Sequence, residues 1–163
     1  MLADRVAQLF SEARNDVYAY LLSLGLNPAQ AQEETQEVFL RLYVTLKKGE
    51  EIQNARAWVF RVAHNSGLKA RARQKGTVAL DPALELSLAS PAVGPEQSLL
   101  DRERAAQFRE GVEKLSGQQR RCLFLRMQGL KYPEIAAVMG ISASAVGEFM
   151  RRAILQLRKG GDE

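Results

Sequence analysis

The stretch Tyr132-Pro-Glu-Ile-Ala-Ala-Val-Met-Gly-Ile-Ser-Ala-Ser-Ala-Val-Gly-Glu-Phe-Met-Arg-Arg152 reads as a helix-turn-helix. Pro133 suits the first turn of a helix, where its missing N–H leaves no bond unmade, and Gly140 suits the tight turn that ends it. Ser142 stands where it can cap a second helix. Ala136, Gly140 and Val146 keep the spacing such a motif needs: a small residue at the helix crossing, a glycine at the turn, a branched apolar residue sealing one helix onto the other. An ordinary αα-hairpin shares part of this pattern, so the flanking sequence has to decide between them.

Working back from that stretch, Gly129 ends a helix expected over residues 117–128, capped by Ser116, with Cys122, Leu123, Leu125 and Met127 among its core positions. Another is expected over residues 98–115, with Leu99, Leu100, Ala106, Phe108 and Val112 apolar. Before it the periodicity fades, and Pro82, Pro91, Gly94 and Pro95 mark residues 76–97 as a linker. The first half carries three helical patterns. Residues 3–24 place Val6, Leu9, Phe10, Ala13, Val17, Tyr20, Leu21 and Leu24 at helical spacing. Asn27 and Pro28 then cap and start a helix to about residue 48, with Ala31, Thr35, Val38, Phe39, Leu42 and Leu46 on its buried stripe. Asn54 caps a third, expected over residues 55–75, with Trp58, Val59, Val62, Ala63 and Leu68 on its apolar side. Strand alternation, hairpin turns and internal repeats are absent from the sequence pattern. The expected fold is all-α: two small helical domains, residues 1–75 and 98–163, joined by the linker 76–97, with the helix-turn-helix in the second.

Charge along the 163-residue chain comes in blocks: net −3 over residues 1–53, +6 over 54–80, −3 over 81–118 and +4 over 119–163. Two basic blocks separated by acidic ones are what two contacts with a polyanion require, although a solvated face gives the same signal. In the third helix Arg56, Arg61, Lys69, Arg71, Arg73 and Lys75 are the only charges, beside the aromatic Trp58 and Phe60. Such a helix is suited to tracking phosphates and stacking bases. The second helix has a polar face, Gln32, Glu33, Gln36, Glu37 and Arg41, without evident partners in the chain; it is a solvated surface or a docking face for another protein.

Other chemistries find little support. Cys122 is the only cysteine and His64 the only histidine, so neither a disulfide framework nor a Cys/His zinc site is expected. Glu33, Glu34 and Glu37 have no Glu-x-x-His element to complete a metal site. With no nucleophile-and-base set and no Gly-rich phosphate loop, neither an enzyme nor a cofactor is expected. The sequence has neither a membrane-span-length apolar run nor a signal peptide's h-region, so a cytoplasmic location without membrane insertion is expected.

In this order the parts resemble the bacterial sigma factors of RNA polymerase, in the compact extracytoplasmic-function group. The matching stretches are residues 31–42, 55–65, 115–120 and 129–142. The resemblance implies a non-catalytic subunit that binds core RNA polymerase and directs promoter recognition and transcription initiation. It implies that Glu33, Gln36, Glu37 and Arg41 face the clamp helices of the polymerase β′ subunit. It implies that Arg56, Arg61, Asn65, Lys69, Arg71 and Arg73 lie on the helix that recognises and helps melt the minus-ten element of promoter DNA. Ser142, Ser144, Arg151 and Arg152 would then belong to the helix entering the major groove of the minus-thirty-five element, in a domain that also touches the polymerase β flap. An anti-sigma factor is a further partner the resemblance allows. The sequence departs from the family's pattern after Val146, where Gly147, Glu148 and Phe149 replace a Lys-Ser-Arg-like run, and at Lys69, where many relatives carry an acid. Two other readings remain open on residues alone: a stand-alone helix-turn-helix regulator, and an interaction module that has lost DNA binding.

Overall fold

The computed structural model describes residues 1–74 and 98–161, and within them every regular element is helical. The order is α1 (Leu2–Ser23), α2 (Pro28–Lys47), α3 (Ala55–Ala72), α4 (Leu99–Glu113), α5 (Gly117–Met127), α6 (Tyr132–Met139) and α7 (Ala143–Gly161). The linker expected over residues 76–97, with Lys75, lies outside the described residues.

The helix starts follow from the side chains before them. Asn27 accepts the Gln30 N–H at 2.8 Å, Asn54 that of Ala57 at 3.1 Å, Ser98 that of Asp101 at 3.3 Å and Ser116 that of Gln119 at 3.1 Å. Each bond satisfies a donor that the first turn would otherwise leave bare, worth about 1 kcal/mol apiece. At the other end of α4, Arg120 is buried and donates to the carbonyls of Val112 (3.0 Å) and Glu113 (2.5 Å). It caps α4 from α5 and complements the negative end of that helix. Gly111 lets α4 and α7 approach closely, since a Cβ there would stand 3.0 Å from Leu157 Cδ2.

Helices α1, α2 and α3 pack on one another; α4, α5 and α6 each pack on α7, α5 also touches α6, and α3 lies against α6. The seam between the halves is apolar at its centre. Phe124 of α5 sits with its ring 6.2 Å from that of Tyr20 and 6.1 Å from that of Phe60, and all three are buried. Polar bonds flank it: Asn54 Nδ2 donates to Glu134 Oε2 at 2.8 Å, Arg56 Nη1 to Gln128 Oε1 at 2.6 Å, and Arg121 Nη1 to the Ser23 carbonyl at 3.5 Å.

Several expected core positions are not core. Leu99 and Leu100 are 71% and 53% exposed, since α4 buries only Gly111 and Val112, near its end. Leu68 and Met127 are also exposed, while Phe60, expected to be available for stacking on bases, is fully buried at the seam. The sequence pattern placed apolar residues on helix faces correctly but could not say which of those faces a second half would cover.

Candidate nucleic-acid interface

The helix-turn-helix forms as the sequence expects. Lys131 and Pro133 open α6, and the Glu134 carboxylate reaches back to the Lys131 N–H at 2.8 Å. Gly140 adopts φ +69°, a left-handed turn that side chains disfavour, and the Ile141 N–H closes onto the Ala136 carbonyl at 3.1 Å. Ser142 Oγ then accepts the Ala145 N–H at 3.0 Å, capping α7. Ile135, Ala136, Val138, Val146, Met150 and Ala153 are buried, which fixes α7 on α6 and turns Ser142, Ser144, Arg151 and Arg152 to solvent.

On that solvent face the arginines are occupied. Arg151 donates through Nε and Nη2 to Glu148 Oε2 and Oε1 at 3.2 and 2.7 Å, and Arg152 Nε donates to Glu148 Oε1 at 2.9 Å. These bonds pull the carboxyl down to about 2, so it is charged at any working pH.

Helix α3 is arranged differently. Arg61, Asn65 and Lys69 stand at i, i+4 and i+8 and are all exposed, so they form one row. The other expected residues leave that row. Arg56 points to the second half and is bonded to Gln128, Arg73 lies 3.9 Å from Glu34 of α2, and Arg71 is half-buried. Trp58, half-buried, lines with Arg61 a groove of about 350 Å³ bounded by Glu50 to Asn54 and by Glu134 and Ala137 of α6.

Below the row, the inner side of α3 carries His64. Tyr20 Oη lies 2.8 Å from His64 Nδ1 in a buried pair. Burial, and secondarily the nearby Arg121 guanidinium, push the imidazole down to about 4, so it is neutral; burial likewise pushes the Tyr20 phenol up.

The polar face of α2 is exposed as expected, with Glu33, Gln36 and Glu37 open to solvent. Arg41 is not free of partners: its Nη1 donates to Ser66 Oγ of α3 at 3.2 Å. Sequence reasoning missed two members of this face, Leu40 (61% exposed) and Val44 (48%). With Glu33, Gln36, Glu37 and Arg41 they make one stripe at 3,4 spacing, a signal the sequence held. Gln36 and Leu40 also line a groove of about 550 Å³ between α1 and α2, floored by Val6, Phe10 and Phe39.

Fold and site together define an all-helical protein with a helix-turn-helix in its second half and an exposed basic row in its first. Residues 9–77 match the family model of sigma-70 region 2, and residues 105–157 that of sigma-70 region 4. The chain belongs to the sigma-70 family, in the extracytoplasmic-function group: it is a sigma factor, of the kind that binds core RNA polymerase and directs promoter recognition in transcription initiation. It is 27% identical to the ECF RNA polymerase sigma factor BldN of Streptomyces coelicolor, an alignment covering 96% of this chain and 60% of that one. It is 27% identical to the ECF RNA polymerase sigma factor SigM of Bacillus subtilis, covering 97% and 94%. Its fold is similar to that of the sigma factor RpoE in its complex with the anti-sigma factor NepR from Bartonella quintana: TM-score 0.58, 21% identity, 94% of each chain. It is also similar to CnrH in complex with the cytosolic domain of CnrY: TM-score 0.54, 22% identity, 97% of this chain and 89% of that one. No helix among the described residues is long and apolar enough to cross a membrane.

Proposed function

We propose that the two halves divide the work of promoter recognition, with catalysis left to the polymerase. The observation that carries this is the pair of exposed surfaces on adjacent helices of the first half. The stripe Glu33, Gln36, Glu37, Leu40, Arg41 and Val44 on α2 mixes charge with apolar area, as a protein-docking face needs. The row Arg61, Asn65 and Lys69 on α3, a helix without any carboxylate, suits a polyanion. The α2 stripe docks on the β′ clamp helices, and the α3 row then meets the minus-ten element as it melts. Trp58, half-exposed beside Arg61, is placed to meet an unstacked base. Helix α7 takes the major groove of the minus-thirty-five element, with Ser142 and Ser144 at its leading end.

This division requires the halves to part. Arg56 is bonded to Gln128 and Asn54 to Glu134 while the seam is closed, so neither is available to DNA. Binding to polymerase opens the seam and releases them. An anti-sigma factor, such as the one in the complex of the similar RpoE fold, would act by holding the chain off polymerase.

Co-elution with bacterial core RNA polymerase tests the docking face. The unmodified chain is expected to co-elute, and Arg41→Glu to lose the association while keeping its helical content. Retention of polymerase binding by Arg41→Glu, or DNA binding by the unmodified chain without any polymerase binding, would remove the reading.

A further inference from the structure

Glu148 is the one acid on α7 among the described residues, and it stands on the face turned away from the protein. Ser144, Glu148 and Arg152 follow one another at i, i+4 and i+8, with Arg151 beside them. The three charged side chains remain 44% to 60% exposed although bonded to one another. Next to them Gly147 adds no bulk, and even a Cβ there would meet nothing within 4 Å. The carboxylate therefore projects from an open surface on the second helix of a helix-turn-helix.

A bare carboxylate would be driven from DNA by the phosphates. Here two guanidiniums surround it, so the trio carries net positive charge and its approach to the backbone is attractive. The bonds also fix the carboxylate's orientation. A carboxylate has about four lone-pair directions. Oε1 uses two, on Arg151 and Arg152, and Oε2 uses one, on Arg151. Oε2 keeps one acceptor site without a hydrogen bond from a donor among the described residues. A charged acceptor, held rigid with one position left, suits a hydrogen-bond donor on a base edge.

We propose that Glu148 is a specificity-determining residue that accepts the N4 amino group of a cytosine in the major groove, with Arg151 and Arg152 as its positioning residues. The assignment rests on the reading of α7 as the groove-entering helix. At that edge cytosine offers an amino donor alone; adenine sets its N6 amino donor beside an N7 acceptor, and guanine and thymine offer acceptors, which the carboxylate repels. The charged trio thus selects by base identity where a Lys-Ser-Arg-like run would add bulk positive charge. Freed of the carboxylate, the same two arginines would bind phosphate without regard to sequence.

The test uses the full chain bound to core polymerase, selecting from promoter duplexes randomised over the upstream segment. The unmodified chain is expected to enrich cytosine at one position there, and Glu148→Ala to lose about tenfold of that enrichment. Replacing that cytosine by deoxyuridine, which presents an acceptor in place of the amino group, should weaken the unmodified chain by a similar factor and leave Glu148→Ala unchanged. An unaltered base preference in Glu148→Ala, with or without tighter binding to every sequence, would overturn the assignment and leave Glu148 a damper of charge. An unmodified chain that selects no upstream base at all would overturn the reading of α7 itself, and the assignment with it.

Discussion

Helix α3 carries Arg56, Arg61, Lys69 and Arg71 with no carboxylate of its own; helix α7 turns Arg151 and Arg152 to solvent with both guanidiniums on Glu148. On α3 the cations spread round the circumference, and position decides their use. Those that meet protein, such as Arg56, tie the halves together, and those in the outer row stay open. On α7 the cations are paired before any partner arrives. The contrast teaches that local net charge is a poor guide to binding mode. The α3 row is suited to phosphate wherever it lies, and the α7 trio to one arrangement of donors.

The comparison depends most heavily on Phe124, which holds the second half against α1 through Tyr20 and against α3 through Phe60. Phe124→Ala is expected to cost about 3 kcal/mol, measured as a lower urea midpoint, because the ring is fully surrounded. A cost below about 1 kcal/mol would mean that the seam is not closed in the free chain. Next in size is the outer row itself. Arg61→Ala with Lys69→Ala should weaken holoenzyme binding to promoter DNA by about 30-fold near 0.15 M salt and lower the salt slope by about 2. An unchanged slope would place the phosphates elsewhere.

Acidification probes the inner side of the same helix. His64 sits at about 4 in the folded chain against an ordinary 6.5, so between those values the unfolded chain binds a proton that the folded one does not. Stability from this group is therefore complete above pH 6.5 and is lost as pH falls towards 4, by about 2 kcal/mol between pH 7 and 5. Denaturation midpoints across that range should follow this slope, and His64→Gln should flatten it. The smallest effect is at the start of α7, where Ser142→Ala should cost about 1 kcal/mol through loss of the cap to Ala145. Thermal unfolding measures it, and no change would mean that the turn is held by Gly140 alone.

Much of this architecture was legible because helix ends are written in short range. Asn27, Asn54, Ser98, Ser116 and Ser142 each accept the N–H three residues on, and Gly140 takes the left-handed turn. What failed concerned surfaces between elements distant in sequence. Phe60 and Phe124 are apolar positions on their own helices, and nothing in periodicity says that they meet; Leu99 and Leu100 are apolar yet stay exposed. The pairing of Glu148 with Arg151 and Arg152 is a different case, since spacings of three and four residues on a helix bring opposite charges together. There the sequence itself carries the signal.

Transcription by a reconstituted holoenzyme tests the central claim most directly. Core RNA polymerase supplied with this chain and genomic DNA fragments should produce transcripts from discrete start sites that core polymerase alone does not use. Transcripts identical with and without the chain, from a polymerase shown to have bound it, would contradict the account.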